Sequence, residues 1–335
     1  MKYSISLLFF FTSLFSLYSC VNSNSKNTVK LDNENGLSIV RFDKDLYDLL
    51  KNPTAEIQES MKLKYGDFLN AFGSVTINNP DYNSDSYFSA LEKYFSNPML
   101  SRIYTDVQIK FADLSAYEKD LAQANNIIKE AFEDKQLPKI YMHVSGFKAN
   151  TIVLQDIISI SADKYLGSDY QPYKQFFEPY QVAQMQPQMI VRDYLKAWLI
   201  GEIPTDNKRK DLLSEMLYQG KILYALNQLL PEWNDADLLG YTPEQMKWAE
   251  DSQKGIWKVT VQNNYLFSTD YMTIVKYMED APYTAAVSTE SPGRLGAWVG
   301  WQIIKKYVEN TDTELFTLLN ELDSQKILKA SKYNP

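Results

Sequence analysis

One histidine and one cysteine in 335 residues exclude more chemistry than any other feature of this chain. A single imidazole, His143, makes an HExxH zinc helix, a cage of several histidines or a two-imidazole mechanism impossible, and any Ser/His/Asp arrangement must use that residue. A single cysteine, Cys20, removes internal disulfides, zinc ribbons and CxxC redox chemistry. Phosphate-cradling glycine loops are also missing: neither GxxxxGK[ST] nor GxGxxG after a strand occurs. Positive charge is scarce, with Lys+Arg 34 against Asp+Glu 42 and a formal charge of −8, so nucleic acid is not an expected partner. What is present, 45% hydrophobic and 23% charged residues, is the balance of a folded chain and not of a disordered or polytopic membrane protein.

The N-terminus carries the one long apolar run. In MKYSISLLFFFTSLFSLYSC, Lys2 precedes an apolar stretch from Leu7 to Tyr18 that stops at Cys20. The stretch is shorter than the roughly 20 apolar residues of a spanning helix and reads as a secretory signal. Leu17-Tyr18-Ser19-Cys20 resembles a bacterial lipobox, with a bulky Tyr18 in the middle slot. Residues 1–19 are therefore expected to be a lipoprotein signal peptide, with acylated Cys20 holding the chain to a lipid bilayer at about 0.8 kcal/mol per buried methylene. Residues 20–36, the lipidated cysteine and a polar run rich in Asn and Ser, are expected to form a flexible tether. No acidic cluster of the kind that marks surface export follows the cysteine, which points to an envelope protein lipid-anchored in the outer membrane and facing the periplasm.

Residues 37–335 show no internal repeat and no second linker, so one globular domain is expected. Apolar stripes at helical spacing run from Phe42 to Asp134, where Phe42, Leu46, Leu49 and Leu50 share a face, Pro53 and Pro98 open helices, and Leu114–Phe132 forms a further one. Between Lys139 and Ala162 the residues become β-branched, aromatic and short in run, predicting a small sheet of two or three strands with His143 in the first. A strand histidine without a second imidazole reads as a partly buried hydrogen-bonding residue, and its best functional role would be substrate contact. Helical patterns then resume at Pro187–Ile200, Lys208–Leu230, Thr242–Glu250, Gln253–Tyr265, Thr269–Glu279 and Ser291–Asn310. Thr242-Pro243 and Ser291-Pro292 both read as a capping residue followed by proline at the first helical position. The fold class is thus α+β, mainly helical with a small sheet. Gly296 and Gly300, one turn apart, are placed to let another backbone approach closely.

The run Ser291-Pro292-Gly293-Arg294-Leu295-Gly296-Ala297-Trp298-Val299-Gly300-Trp301-Gln302 resembles the gliding motility lipoprotein family GldB of Bacteroidetes. Asp163-Lys164-Tyr165-Leu166-Gly167, Gly220-Lys221 and Gly240-Tyr241-Thr242-Pro243-Glu244-Gln245 agree with it in order. The resemblance implies an envelope lipoprotein required for gliding motility, with envelope motility or secretion proteins as partners. The wider group resembles zincin-type metallopeptidases, which implies a zincin-like arrangement in which 187–200 is the former active helix. Arg192, Asp193 and Lys196 then stand where His, Glu and His would stand, and Gln219 falls near the third, acidic ligand. A guanidinium and an ammonium repel a cation and a neutral amide binds zinc poorly, so no metal, cofactor or catalytic residue is assigned. The plainer alternative is that Arg192, Asp193 and Lys196 are a solvated helix face.

Three functions remain open at this level. The first is a non-catalytic assembly or interaction protein on a degenerate peptidase-like scaffold. The second is a glycan-directed hydrolase or binder using carboxylates and aromatics, for which Tyr 24, Phe 16 and Trp 6 are permissive and a cleft holding Arg192 and Lys196 would be unfavourable. The third is a site for an anion or a peptide terminus made by Arg192, Lys196 and Arg294. Arg294, expected in the first turn of its helix where the dipole disfavours a cation, calls for a carboxylate partner.

Overall fold

The computed structural model describes residues 36–132, 134–205 and 210–335. The signal peptide, Cys20 and the tether as far as residue 35 lie outside the described residues.

The N-terminal half sets β1 (Ile39–Val40) before six helices: α1 (Phe42–Lys51), α2 (Ala55–Tyr65), α3 (Asp67–Ile77), α4 (Tyr87–Phe95), α5 (Pro98–Lys110) and α6 (Ser115–Ala131). Each buries one stripe. Phe42, Leu46 and Leu49 of α1 are fully covered, and the Phe42 ring meets Tyr65, Phe68 and Phe72 edge-on at 4.8–4.9 Å. Pro98 occupies the first position of α5 behind the cap Asn97, whose Oδ1 accepts from Met99 N at 2.9 Å. Pro53, in contrast, stands ahead of α2 and not inside it, because Thr54 is extended and supplies the capping hydroxyl to Ile57 N.

The sheet has four strands in the order β1-β2-β4-β3, with β2 (Lys139–His143), β3 (Thr151–Val153) and β4 (Ile157–Ser161). β2 pairs in parallel with both β1 and β4, and β3 closes the edge antiparallel to β4. The fourth strand, β1, escapes the sequence pattern because two residues cannot display an alternation. The register Tyr141↔Ser159 and His143↔Ser161 puts these four residues on one face and Met142, Ile158 and Ile160 on the other. His143 lies fully buried on the first face, with Nδ1 2.7 Å from Ser159 Oγ and its ring between Phe68 and Phe72. Burial pushes the imidazole pKa down to about 3, so it is neutral at pH 7 and belongs to the core.

The C-terminal half is helical: α7 (Pro179–Val182), α8 (Met189–Glu202), α9 (Leu212–Leu229), α10 (Asp235–Leu239), α11 (Pro243–Asp251), α12 (Gln253–Gln262), α13 (Tyr271–Met278), α14 (Leu295–Thr311), α15 (Leu315–Asn320) and α16 (Ser324–Ser331). α8 lies against β3 and β4, and α9 packs against α8. The tightest approach joins α9 to α14. A Cβ built on Gly300 would overlap Met216 O, and one on Gly220 would overlap Gly300 and come within 2.7 Å of Trp301 N. The backbone approach expected of Gly300 is real, and its counterpart is Gly220. The buried Lys221 beside it turns away and donates to the carbonyls of Leu319 and Glu321, tying α9 to the chain after α15.

A second expected helix start is also wrong. α14 begins at Leu295, not at Ser291-Pro292, and Arg294 is its N-cap residue in the left-handed region at φ 57°, ψ 31°. Ser291 Oγ is engaged elsewhere: it accepts from Thr284 N and donates to Ser288 O. Thr284, from the preceding loop, does the capping. Its Oγ1 accepts from Leu295 N at 3.1 Å and donates to Pro292 O at 2.9 Å.

Gly300→Ala is expected to destabilise the protein by about 3 kcal/mol or more in urea unfolding, because two helix backbones must part to admit the methyl group. Gly201→Ala on α8, where an added Cβ meets nothing within 4 Å, should instead gain about 0.5–1 kcal/mol.

Candidate functional site

Arg192 and Lys196 are four residues apart on α8 and share a face. Gln219 immediately precedes the Gly220 crossing on α9, and Arg294 is held at the head of α14. All four line one cavity of about 610 Å³. Asp193 turns into a neighbouring cavity of about 220 Å³ that includes Tyr165, Tyr180 and Tyr241, and Arg294 and Asp280 line both spaces. Four of the five residues singled out in the sequence therefore line one cavity and Asp193 the adjoining one, although they arise from α8, α9 and the head of α14.

The two guanidiniums are fixed by the same device. α10 is capped at its start by Asn234, whose Oδ1 accepts from Asp237 N, and is closed by Gly240 at φ 73°. Its last carbonyls have acceptor capacity to spare beyond the Gly240 N–H that reaches Asp237 O at 3.1 Å, and these attract cations. Arg192 Nη1 donates to Asp237 O at 3.0 Å, and Arg294 Nη2 donates to Leu239 O. Each arginine also has a carboxylate. Arg192 Nε and Nη2 lie 2.8 Å from Asp193 Oδ1, and Arg294 Nε lies 2.9 Å from Asp280 Oδ1. Asp280 is the partner that Arg294 called for. The second oxygen of Asp193 accepts from the buried Tyr165 hydroxyl at 2.9 Å, and burial raises that phenol far above its ordinary range. Arg192 is only 7% exposed, which a residue on a solvated helix face would not be, whereas Asp193 and Lys196 are half-buried.

Lys196 is left over. Among the described residues its ammonium makes no hydrogen bond or ion pair, and neither does the Gln219 side chain. Removal from water lowers its pKa first, Arg294 and Arg192 add repulsion, and Asp193 and Asp280 oppose them, leaving it at about 8. Around this point Arg192 and Arg294 are each paired with a carboxylate and Lys196 is not, while Lys210, Glu215 and Glu279 also line the cavity, so what is missing is a partner for Lys196 and not net negative charge. Ile222, Leu226, Leu238, Ile274 and Met278 supply apolar wall beside it.

This donor set does not fit a zinc ion. Among the described residues no group of three His, Cys, Asp or Glu side chains could hold a metal, and the positions a metallopeptidase register would use carry a guanidinium, an ammonium and an amide. The sequence reading missed Asp280, Tyr165 and the α10 carbonyls. Asp280 had a faint signal as an acid just beyond a helix end, whereas a backbone carbonyl leaves none.

Fold and site together define a mainly helical α+β protein with a cation-floored, apolar-walled cleft among its C-terminal helices. The family model described as gliding motility protein GldB matches residues 22–335, and the chain belongs to that family. Nothing among the curated proteins or the solved structures matches it significantly. Among the described residues no helix is long and apolar enough to cross a membrane.

Lys196→Met should raise stability near pH 7 by about 1–2 kcal/mol by removing a poorly solvated charge. With a folded pKa near 8 and an ordinary value of 10.5, the unfolded chain binds more protons between those limits. Wild-type stability therefore rises with pH relative to Lys196→Met across that window, and the advantage of the variant shrinks. Urea titrations at pH 7 and pH 10 check both the sign and the window.

Proposed function

We propose that this protein serves gliding motility as a lipid-anchored envelope protein that captures a partner or ligand in the cleft, without cutting a bond. The observation that carries the reading is the convergence of Arg192, Lys196, Gln219 and Arg294 on one cavity, with Lys196 unmatched in charge. Side chains of this kind bind anions and orient them. They supply no activated nucleophile beside a base and no metal-bound water. The scaffold reading, a peptidase-like frame turned to binding, draws support from α8 lying against the sheet and α9 against α8, with Arg192, Lys196 and Gln219 facing one cavity.

The remaining parts of the reading concern place and company. Cys20 would carry the acyl chains, the outer membrane would hold them, and the body would face the periplasm on a tether of roughly 20 Å. Its partners would be envelope motility or secretion proteins. The glycan-directed reading is weakened by the cations on the cleft floor, since an oxocarbenium-like transition state is destabilised by neighbouring positive charge.

Two variants test the reading in the organism. Lys196→Met removes the unmatched charge and Ile274→Trp fills the cavity from α13; both should abolish or strongly reduce gliding at unchanged protein level. Normal gliding by both would overturn the assignment of function to this cleft. Elemental analysis of protein purified without chelator should find no stoichiometric zinc, and stoichiometric zinc would sink the non-catalytic reading.

A further inference from the structure

We infer that the cavity between α8, α9, α13 and α14 binds a monocarboxylate with a long apolar chain, the carboxylate on Lys196 and Gln219 and the chain along the aliphatic walls. The inference rests on the capture reading above and names the chemical class of the ligand.

Charge sets the head group. Arg192 and Arg294 already hold Asp193 and Asp280, so the ammonium left for an incoming anion is that of Lys196. Glu215 and Glu279 on the same lining would repel a dianionic phosphate ester more than a monoanion, and a neutral or cationic head would leave Lys196 without a partner. Gln219 lines the same cavity with an amide that has no partner among the described residues, and it can donate to the second carboxylate oxygen.

The walls set the body. Ile222, Leu226, Leu238, Ile274 and Met278 offer aliphatic surface, and about 610 Å³ lies within the range of cavities that enclose a small molecule. These aliphatic residues lie on α9, α10 and α13, whose backbone groups are bonded within each helix, and the carbonyls at the end of α10 are taken by Gly240 N, Arg192 and Arg294. A peptide laid along that aliphatic wall would turn its amide groups toward side chains that cannot bond them, whereas an acyl chain brings no such groups. The opening is suited to such a ligand. Tyr271 lines the cavity while remaining 74% exposed, and the neighbouring Met272 and Phe267 are exposed as well.

Calorimetry on the chain from residue 20 onward, carrying Cys20→Ser, tests this with four probes: dodecanoate, dodecanol, and a short apolar peptide with its C-terminus free or amidated. Saturable one-to-one binding of dodecanoate is expected, at least tenfold tighter than dodecanol and than either peptide. Lys196→Met, which should fold at least as well as wild type, is expected to lose at least tenfold in dodecanoate affinity while leaving dodecanol unchanged. Equal binding of dodecanoate and dodecanol, unaltered binding by Lys196→Met, or no binding would overturn the inference. Tighter binding of the free-carboxylate peptide would overturn the acyl class and leave the capture reading standing. Failure of the capture reading shows separately, as normal gliding by the cavity-filled variant.

Discussion

The contact between Gly220 and Gly300 is the constraint on which the C-terminal half depends. Two helices can touch at the backbone only where both side chains are absent, and the surroundings leave no room for a methyl group on either glycine. That contact fixes where α14 runs across α9. Because Gln219 is the residue before Gly220 and Arg294 the residue before α14, it also fixes two sides of the cleft relative to the α8 face that carries Arg192 and Lys196. The strained backbone of Arg294 follows from the same geometry. The loop from Thr284 to Pro292 is locked by hydroxyl bonds, Thr284 caps the helix, and Arg294 is left to adopt φ 57° with its guanidinium held between Leu239 O and Asp280.

The electrostatics of the cleft are those of a site and not of a stability device. Partly buried ion pairs contribute little net stability, because desolvation offsets attraction, and replacing them by apolar residues is often neutral. Here two such pairs are arranged around a third cation that has none. A half-buried ammonium kept in that position without a partner opposes folding at neutral pH. The arrangement becomes favourable once an anion enters. Membership of the gliding motility GldB family supplies the process in which such capture would act, and the helical frame supplies a rigid holder for it.

Much of the architecture was legible in the chain itself. The stripe of Phe42, Leu46 and Leu49 marked α1, Asn97-Pro98 marked the start of α5, and the β-branched run around Ile157–Ser161 marked a strand, because each signal is local and periodic. β1 was invisible at two residues, and Ser291-Pro292 misled because a serine before proline caps a helix only if its hydroxyl is free, which the pairing with Thr284 prevents. Arg192, Lys196, Gln219 and Arg294 were recognisable as candidates from their types and positions. Asp280, Tyr165 and the α10 carbonyls were not, since each acquires its role through a neighbour distant in the chain.

Composition and short-range periodicity thus carry the fold class, the exclusion of imidazole and thiol chemistry, and the identity of the charged residues in play. That Arg192 and Arg294 are matched while Lys196 is not emerges only when the helices are packed together. Compensation is a property of distances between side chains, and the carboxylates and carbonyls that provide it come from segments up to 55 residues away from the cations they hold.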